Sequence, residues 1–274
     1  MEPKTREDVL ALIEAHPMGD TPETMRAAFP QRLGPQPAGE DHPLGLATGK
    51  GPPVLLLHGG GYVFGSPETH MHAAKRLATA GLRVILPRYP LAPERPWPAQ
   101  IEAARAALDA VPGPVALAGI SAGGHLALTL ALETPARVAA LVLMSPNTDR
   151  TGRSATRVPN SGRDAMNDDE DDRRLGEMAM GRLADGDPAK SPLLADLGGL
   201  PPIFLSVGTD EVLLDDSLLL ARALGQAHVE TRLETIPGAF HMSHLWPQAM
   251  PEAADALDRI GGWLTTKLAG RPRA

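Results

Sequence analysis

The chain has 274 residues, 43% of them hydrophobic, and a formal net charge of -7. That length suits one α/β domain with a small appendage, and the acidic balance argues against nucleic acid as a partner. Cysteine is absent, which excludes disulfides, thiolate nucleophiles and cysteine-based metal sites.

The N-terminal stretch Met1-Glu-Pro-Lys-Thr-Arg-Glu-Asp8 is charged and has no apolar core, so no secretory signal is expected. No apolar run approaches the ~20 residues that a membrane span needs. A soluble, cytoplasmic protein is the default expectation. Residues 5–15 place Val9, Leu10 and Ile13 on one face of an amphipathic helix. A second short helix is expected over 22–29, opened by Thr21-Pro22-Glu23. Residues 31–52 are rich in Pro and Gly, with one short strand near 44–47.

From Val54 the rhythm changes. Val54-Leu-Leu-Leu-His58 is a short apolar run ending in Gly59-Gly-Gly61, which suits a central parallel strand and its exit loop. A helix over 69–80, a strand over 83–89, a proline-punctuated loop over 90–98 and a helix over 99–110 follow. Another apolar run, 115–118, leads through Gly119-Ile-Ser-Ala-Gly123 into an Ala/Leu-rich helix over 125–132, and 138–144 is again a buried strand.

Residues 147–190 break the alternation and read as an insertion at the C-terminal edge of the sheet, helical over 175–183. Its acidic residues, Asp164, Asp168, Asp169, Glu170, Asp171 and Asp172, read as a solvated face plus helix-start charges. Their spacing fits no metal loop, so no metal site is expected. The sheet resumes over 203–207; a helix over 215–224, a strand over 230–236 and a closing helix over about 251–268 complete the chain. Alternation of β and α implies a mostly parallel sheet flanked by helices.

The chemistry centres on Ser121. A strand, a tight turn with glycine on both flanks and a helix would lift its hydroxyl clear of the sheet, with the helix N-terminus aimed at it. A bland alternative is a Gly-rich loop whose serine merely caps the helix. A nucleophilic serine needs a base, an acid that orients the base, and amides for the oxyanion. In chain order the acid and then the histidine should follow it. His241, just past the last strand, is the favoured base, with His244 as runner-up and His228 as a surface residue. Asp210 and Glu211 are rival acids, while Asp215 and Asp216 are expected to cap the next helix. The amide of Ala122 and those of the glycine loop, Gly60 and Gly61, are the oxyanion-hole candidates. His58 is read as structural, holding that loop. Aromatics are only 3% of the chain, yet Tyr62, Phe64, Trp97, Phe240 and Trp246 cluster near these motifs. Tyr62, Phe64, Met242 and Trp246 are the candidate substrate contacts; core filling is the competing reading for each aromatic.

Three motifs now carry a family resemblance. His58-Gly-Gly-Gly-Tyr-Val-Phe-Gly-Ser66, Tyr89-Pro-Leu-Ala-Pro-Glu-Arg-Pro-Trp-Pro98 and Gly119-Ile-Ser-Ala-Gly-Gly124 resemble the hormone-sensitive-lipase-like branch of α/β-hydrolase esterases. The likeness spans roughly residues 54–268. It implies an α/β-hydrolase fold over 31–274, with a helical cap made by residues 1–30 and by the insertion over about 147–190. It implies Glu211 as the acid, counted back from Asp215, with Asp210 as the alternative. It also implies a serine carboxylic-ester hydrolase acting on short-to-medium acyl esters, with no metal and no cofactor. Members often pair through edge strands or helices, which leaves a homodimer open. Ile120 departs from the acidic residue or threonine usual before the nucleophile. The stretch before Val54 is short for the family's first strands, leaving room for fewer than eight.

A lactonase, or an amidase or peptidase, would keep the same triad, although nothing marks a site for a charged peptide terminus. A non-catalytic small-molecule receptor on this fold would commonly lack a triad member, and here each role has a candidate.

Overall fold

Two capped helices open the chain. In this computed structural model, which describes residues 2–269, α1 (Arg6–Ala15) and α2 (Pro22–Leu33) each begin at a threonine. The Thr5 and Thr21 side chains accept from the amide three residues on and complete capping boxes.

Next come β1 (Glu40–His42), β2 (Gly45–Thr48) and β3 (Pro53–Leu57), then α3 (Met71–Ala78), β4 (Arg83–Pro87) and α4 (Ala99–Asp109). β5 (Val115–Ile120), α5 (Ala122–Glu133) and β6 (Val138–Met144) form the centre. After the insertion, which contains α6 (Arg157–Asn160) and α7 (Asp169–Met180), come β7 (Ile203–Gly208), α8 (Leu214–Gln226), β8 (Thr231–Ile236) and α9 (Pro251–Ala269).

The eight strands form one sheet in the order β1-β2-β4-β3-β5-β6-β7-β8. The pairs β1–β2 and β2–β4 are antiparallel, and every pairing from β4 through β3 to β8 is parallel. β5, β6 and β7 are buried at every residue. Such strands are covered by helices on both faces, so they read as unbroken apolar runs.

The sheet has eight strands, where the sequence left room for fewer. The strand that sequence reading missed is β1, Glu-Asp-His, which is polar and half-open to solvent and so carries no alternation to detect. Helix α7 begins at Asp169, earlier than the expected 175, because Asp168 accepts from the Asp171 amide and caps it.

Four successive parallel strands, β5 to β8, deliver Ser121, Ser145, Glu211 and His241 at or just beyond their C-terminal ends. The crevice outside the carboxyl ends of such a sheet is where ligands bind in open α/β folds.

Candidate active site

Ser121 sits at φ 56° and ψ -120°, a region that costs L-residues about 1–3 kcal/mol and persists only where surroundings enforce it. Its amide donates to the Met144 carbonyl at 2.9 Å, and its own carbonyl accepts from Gly124 and His125, starting α5. Glycine on both flanks is compulsory. A Cβ on Gly119 would lie 2.0 Å from the Gly123 carbonyl oxygen, and one on Gly123 would lie 2.1 Å from that of Leu57. Ile120, behind the elbow, is fully buried.

His241 faces the serine. Its Nε2 is 2.8 Å from Ser121 Oγ, and its Nδ1 is 3.0 Å from Glu211 Oε2. With Nδ1 donating to the carboxylate, Nε2 carries the lone pair that accepts from the hydroxyl. Burial disfavours the charged imidazolium, but the hydrogen bond and charge of Glu211, helped by Asp164, raise its pKa above the ordinary histidine value. Glu211 is wholly buried. Its Oε1 accepts from the Gly208 amide at 2.6 Å and from Ser145 Oγ at 2.8 Å.

The structure thus brings Glu211, not Asp210, to the histidine. Asp210 is partly exposed, and its amide donates to the Ala239 carbonyl. His244 is buried against Ser206 Oγ at 2.8 Å, its pKa pushed down to about 4 by burial. His228 is exposed.

The glycine loop is held from behind. His70 Nε2 accepts from the Gly59 amide at 2.8 Å. His58 stacks on Tyr89 with ring centroids 3.9 Å apart and contacts the Gly59 carbonyl through Nδ1 at 2.9 Å. Burial pushes the His58 pKa down to about 4, so it is a neutral prop. Gly60 and Gly61 have φ of 118° and 58°, the left-handed side that glycine adopts without strain. A Cβ on Gly60 would lie 2.2 Å from the Phe64 carbonyl oxygen. The amides of Gly60, Gly61 and Ala122 donate to no acceptor among the described residues.

A cavity of about 40 Å³ opens beside the serine. Ser121, His241, Gly60, Gly61, Phe64 and Met242 form its base, with Met18 from the connection between α1 and α2, Met25 from α2, and Met166 and Leu175 from the insertion above. Phe64 and Met242 therefore line the space beside the serine hydroxyl. Tyr62 and Trp246, expected to do the same, are absent from this lining. Tyr62 turns its hydroxyl to His125 Nδ1 at 2.6 Å, and Trp246 is a fully buried core residue packed on Phe240. A ring near a motif in sequence is drawn to whichever side offers apolar cover or a partner for its polar tip.

The acidic run also departs from expectation. Asp172 is buried between Arg150 and Arg157 at 2.6 and 2.5 Å, and these cations hold its pKa down to about 2 despite burial. Asp164 is buried and accepts from the His241 and Val212 amides. Neither lies on a solvated face.

Asp215 and Asp216 do not cap α8, which has no side-chain cap. Asp215 accepts from the Ala155 amide. Asp216, fully buried, accepts from the Thr148 and Asp149 amides at 2.9 Å and pairs with Arg157 at 3.0 Å. These carboxylates fasten the insertion to α8. Sequence reading missed Ser145 altogether; its only local mark is a φ of 49°, which no pattern announces.

Among the described residues, no three His, Cys, Asp or Glu side chains are disposed to hold a metal ion, and no helix is long and apolar enough to cross a membrane.

A model of the alpha/beta hydrolase fold family matches residues 54–245. An esterase from the bacterial hormone-sensitive lipase family superposes with a TM-score of 0.87 at 32% identity, over 96% of this chain and 97% of that one. The chain belongs to the hormone-sensitive-lipase-like esterases of the α/β-hydrolase family.

An acetyl-hydrolase of Streptomyces hygroscopicus is 37% identical over 226 residues, 78% of this chain and 75% of that protein. An esterase of Acinetobacter venetianus is 32% identical over 270 residues, 89% of each chain. This family member is accordingly a hydrolase of the carboxylesterase class.

Proposed function

We propose that Ser121, His241 and Glu211 work as a nucleophile–base–acid triad that hydrolyses carboxylic esters of short acids through an acyl-enzyme. The observation that carries this reading is the continuous hydrogen-bonded chain from Ser121 Oγ to His241 at 2.8 Å and from His241 to Glu211 at 3.0 Å.

Ser121 Oγ attacks the acyl carbon as its proton passes to His241 Nε2. Glu211 keeps Nδ1 protonated and stabilises the imidazolium. The carbonyl oxygen, now negative, is held by the unengaged amides of Gly60, Gly61 and Ala122. His241 then protonates the departing alcohol as the C–O bond breaks. A water that loses its proton to His241 attacks the acyl carbon, and the released serine oxygen takes that proton back.

Helices α1 and α2, with the insertion over 147–190, act as a cap that sets acyl size. The cavity beside Ser121 is small, about 40 Å³, which favours short acyl groups over long ones. That supports acetyl-sized acyl groups, as does the name of the Streptomyces relative, an acetyl-hydrolase. Met18, Met25, Met166 and Met242 around it are adaptable fillers, which lets slightly longer chains in at lower rate.

Hydrolysis of p-nitrophenyl esters from acetate to laurate, with wild type beside Ser121→Ala, tests the reading. Turnover is expected to peak at the shortest chains, and the variant should lose it on the order of 10⁶-fold while keeping the fold. Turnover that survives Ser121→Ala, or no turnover on any ester, would overturn it.

A further inference from the structure

Asp164 leaves the chain just after α6, far in sequence from both His241 and Glu211, and ends up 8% exposed beneath the insertion. Its two oxygens have three backbone partners. Oδ1 accepts from the His241 amide at 3.0 Å and from the Met166 amide at 3.1 Å. Oδ2 accepts from the Val212 amide at 3.0 Å. Met166 walls the cavity, Val212 follows the triad acid, and His241 is the triad base. Nearby, Asn160 Nδ2 donates to the Glu211 carbonyl at 2.8 Å, so α6 grips the acid loop as well.

We infer that Asp164 is a positioning residue: one carboxylate of the insertion fixes the backbones of the base, the acid loop and the pocket wall in a single register. The inference rests on the triad reading above and adds to it a hydrogen-bonded link between the part that sizes the substrate and the part that moves the proton. Buried carboxylates are costly unless satisfied by donors, and here every donor comes from a segment that must be held for catalysis. Asp164 also acts through space. Its charge favours the imidazolium form of His241. The titratable groups facing Asp164 are His241 and Glu211, and Asp172, itself paired with Arg150 and Arg157, adds a further favourable field at His241. Burial raises the Asp164 pKa to about 6, with Glu211 pushing the same way and His241 opposing.

The test compares wild type, Asp164→Asn and Asp164→Glu on p-nitrophenyl acetate across pH. Serine-dependent turnover of the wild type belongs to the triad reading and is measured first. Asparagine keeps one acceptor oxygen but turns an NH₂ group toward a backbone N–H. The expected result is a kcat loss on the order of tenfold to a hundredfold, together with an acid limb of kcat/KM displaced to lower pH. That limb reports the free enzyme's base, and His241 loses a charge that favours its proton. Asp164→Glu should restore the position of the limb.

A folded Asp164→Asn with kcat and acid limb unchanged overturns the inference and leaves the triad standing. If Asp164→Asn does not fold, Asp164→Glu decides. It keeps the charge but displaces the three amides that Asp164 holds, so kcat should fall on the order of tenfold with the acid limb in place, and an unchanged kcat overturns the inference.

Discussion

Ser145 Oγ donates to Glu211 Oε1 at 2.8 Å, so the first residue beyond β6 holds the carboxylate that β7 presents to His241. Glu211 has no exposure to water, and its remaining donor on that oxygen is the Gly208 amide. Ser145→Ala should therefore destabilise the fold by about 1–3 kcal/mol, the cost of removing one donor from a buried acceptor. It should also lower kcat more than it raises KM, because the serine touches the acid rather than the pocket. Denaturant unfolding and steady-state kinetics check both.

The acid assignment separates two adjacent residues. Glu211→Gln should cost about 10³–10⁴ in kcat, because the amide cannot hold the imidazole in the tautomer that accepts from serine. Asp210→Asn should leave kcat within about twofold, since a surface-facing substitution away from the hydrogen-bonded chain changes little. The opposite order would reassign the acid.

Arg157 joins Asp172 and Asp216 at 2.5 and 3.0 Å with all three groups nearly free of solvent. Its removal leaves the buried Asp216 without its cation and Asp172 with Arg150 alone. Arg157→Met should cost about 3–5 kcal/mol in unfolding free energy. The loss should fall first on the insertion, detectable as hydrogen exchange spreading through α6 and α7 before the sheet. Uniform exchange across sheet and insertion would argue that the cluster does not fasten the insertion.

Stability and activity should respond to acid with opposite contributions from different histidines. Burial pushes His58, His125 and His244 down to about 4, 3 and 4. Each then binds its proton more readily unfolded, so its contribution is complete above about pH 6.5 and is lost as pH falls toward those values. His241 runs the other way. Its raised pKa means that the imidazolium–Glu211 pair stabilises below about pH 6.5, and this is lost as pH rises through the folded value. His70, fully buried, is pushed down as well, and four depressed groups outweigh one raised, so the melting temperature should fall steeply between pH 7 and pH 4. His244→Gln should make that fall shallower. A flat melting profile over this range would contradict the neutral, buried state of these rings.

The central strands, the serine elbow and the order of serine, acid and histidine were legible in the sequence because each rests on a local rule. A strand buried on both faces must be apolar throughout, which marks 54–57, 115–120 and 138–144. A turn in which Cβ atoms would collide with carbonyls must place glycine at 119 and 123. The fold class and the candidacy of Ser121, His241 and the rival acids Asp210 and Glu211 followed from those rules, while the family and the preference for Glu211 came from the likeness of three motifs to a known family.

What only tertiary structure decided was pairing. Asp164, Asp172 and Asp216 look like the solvated acids around them until the chain sets Arg157 and three backbone amides against them. Tyr62 and Trp246 carry the same composition signal as Phe64, yet a hydroxyl partner and an apolar core took them away from the cavity. Burial patterns repeat along a chain and can be read from it. The partner that compensates a buried charge lies tens of residues away, and its position is set by the fold as a whole.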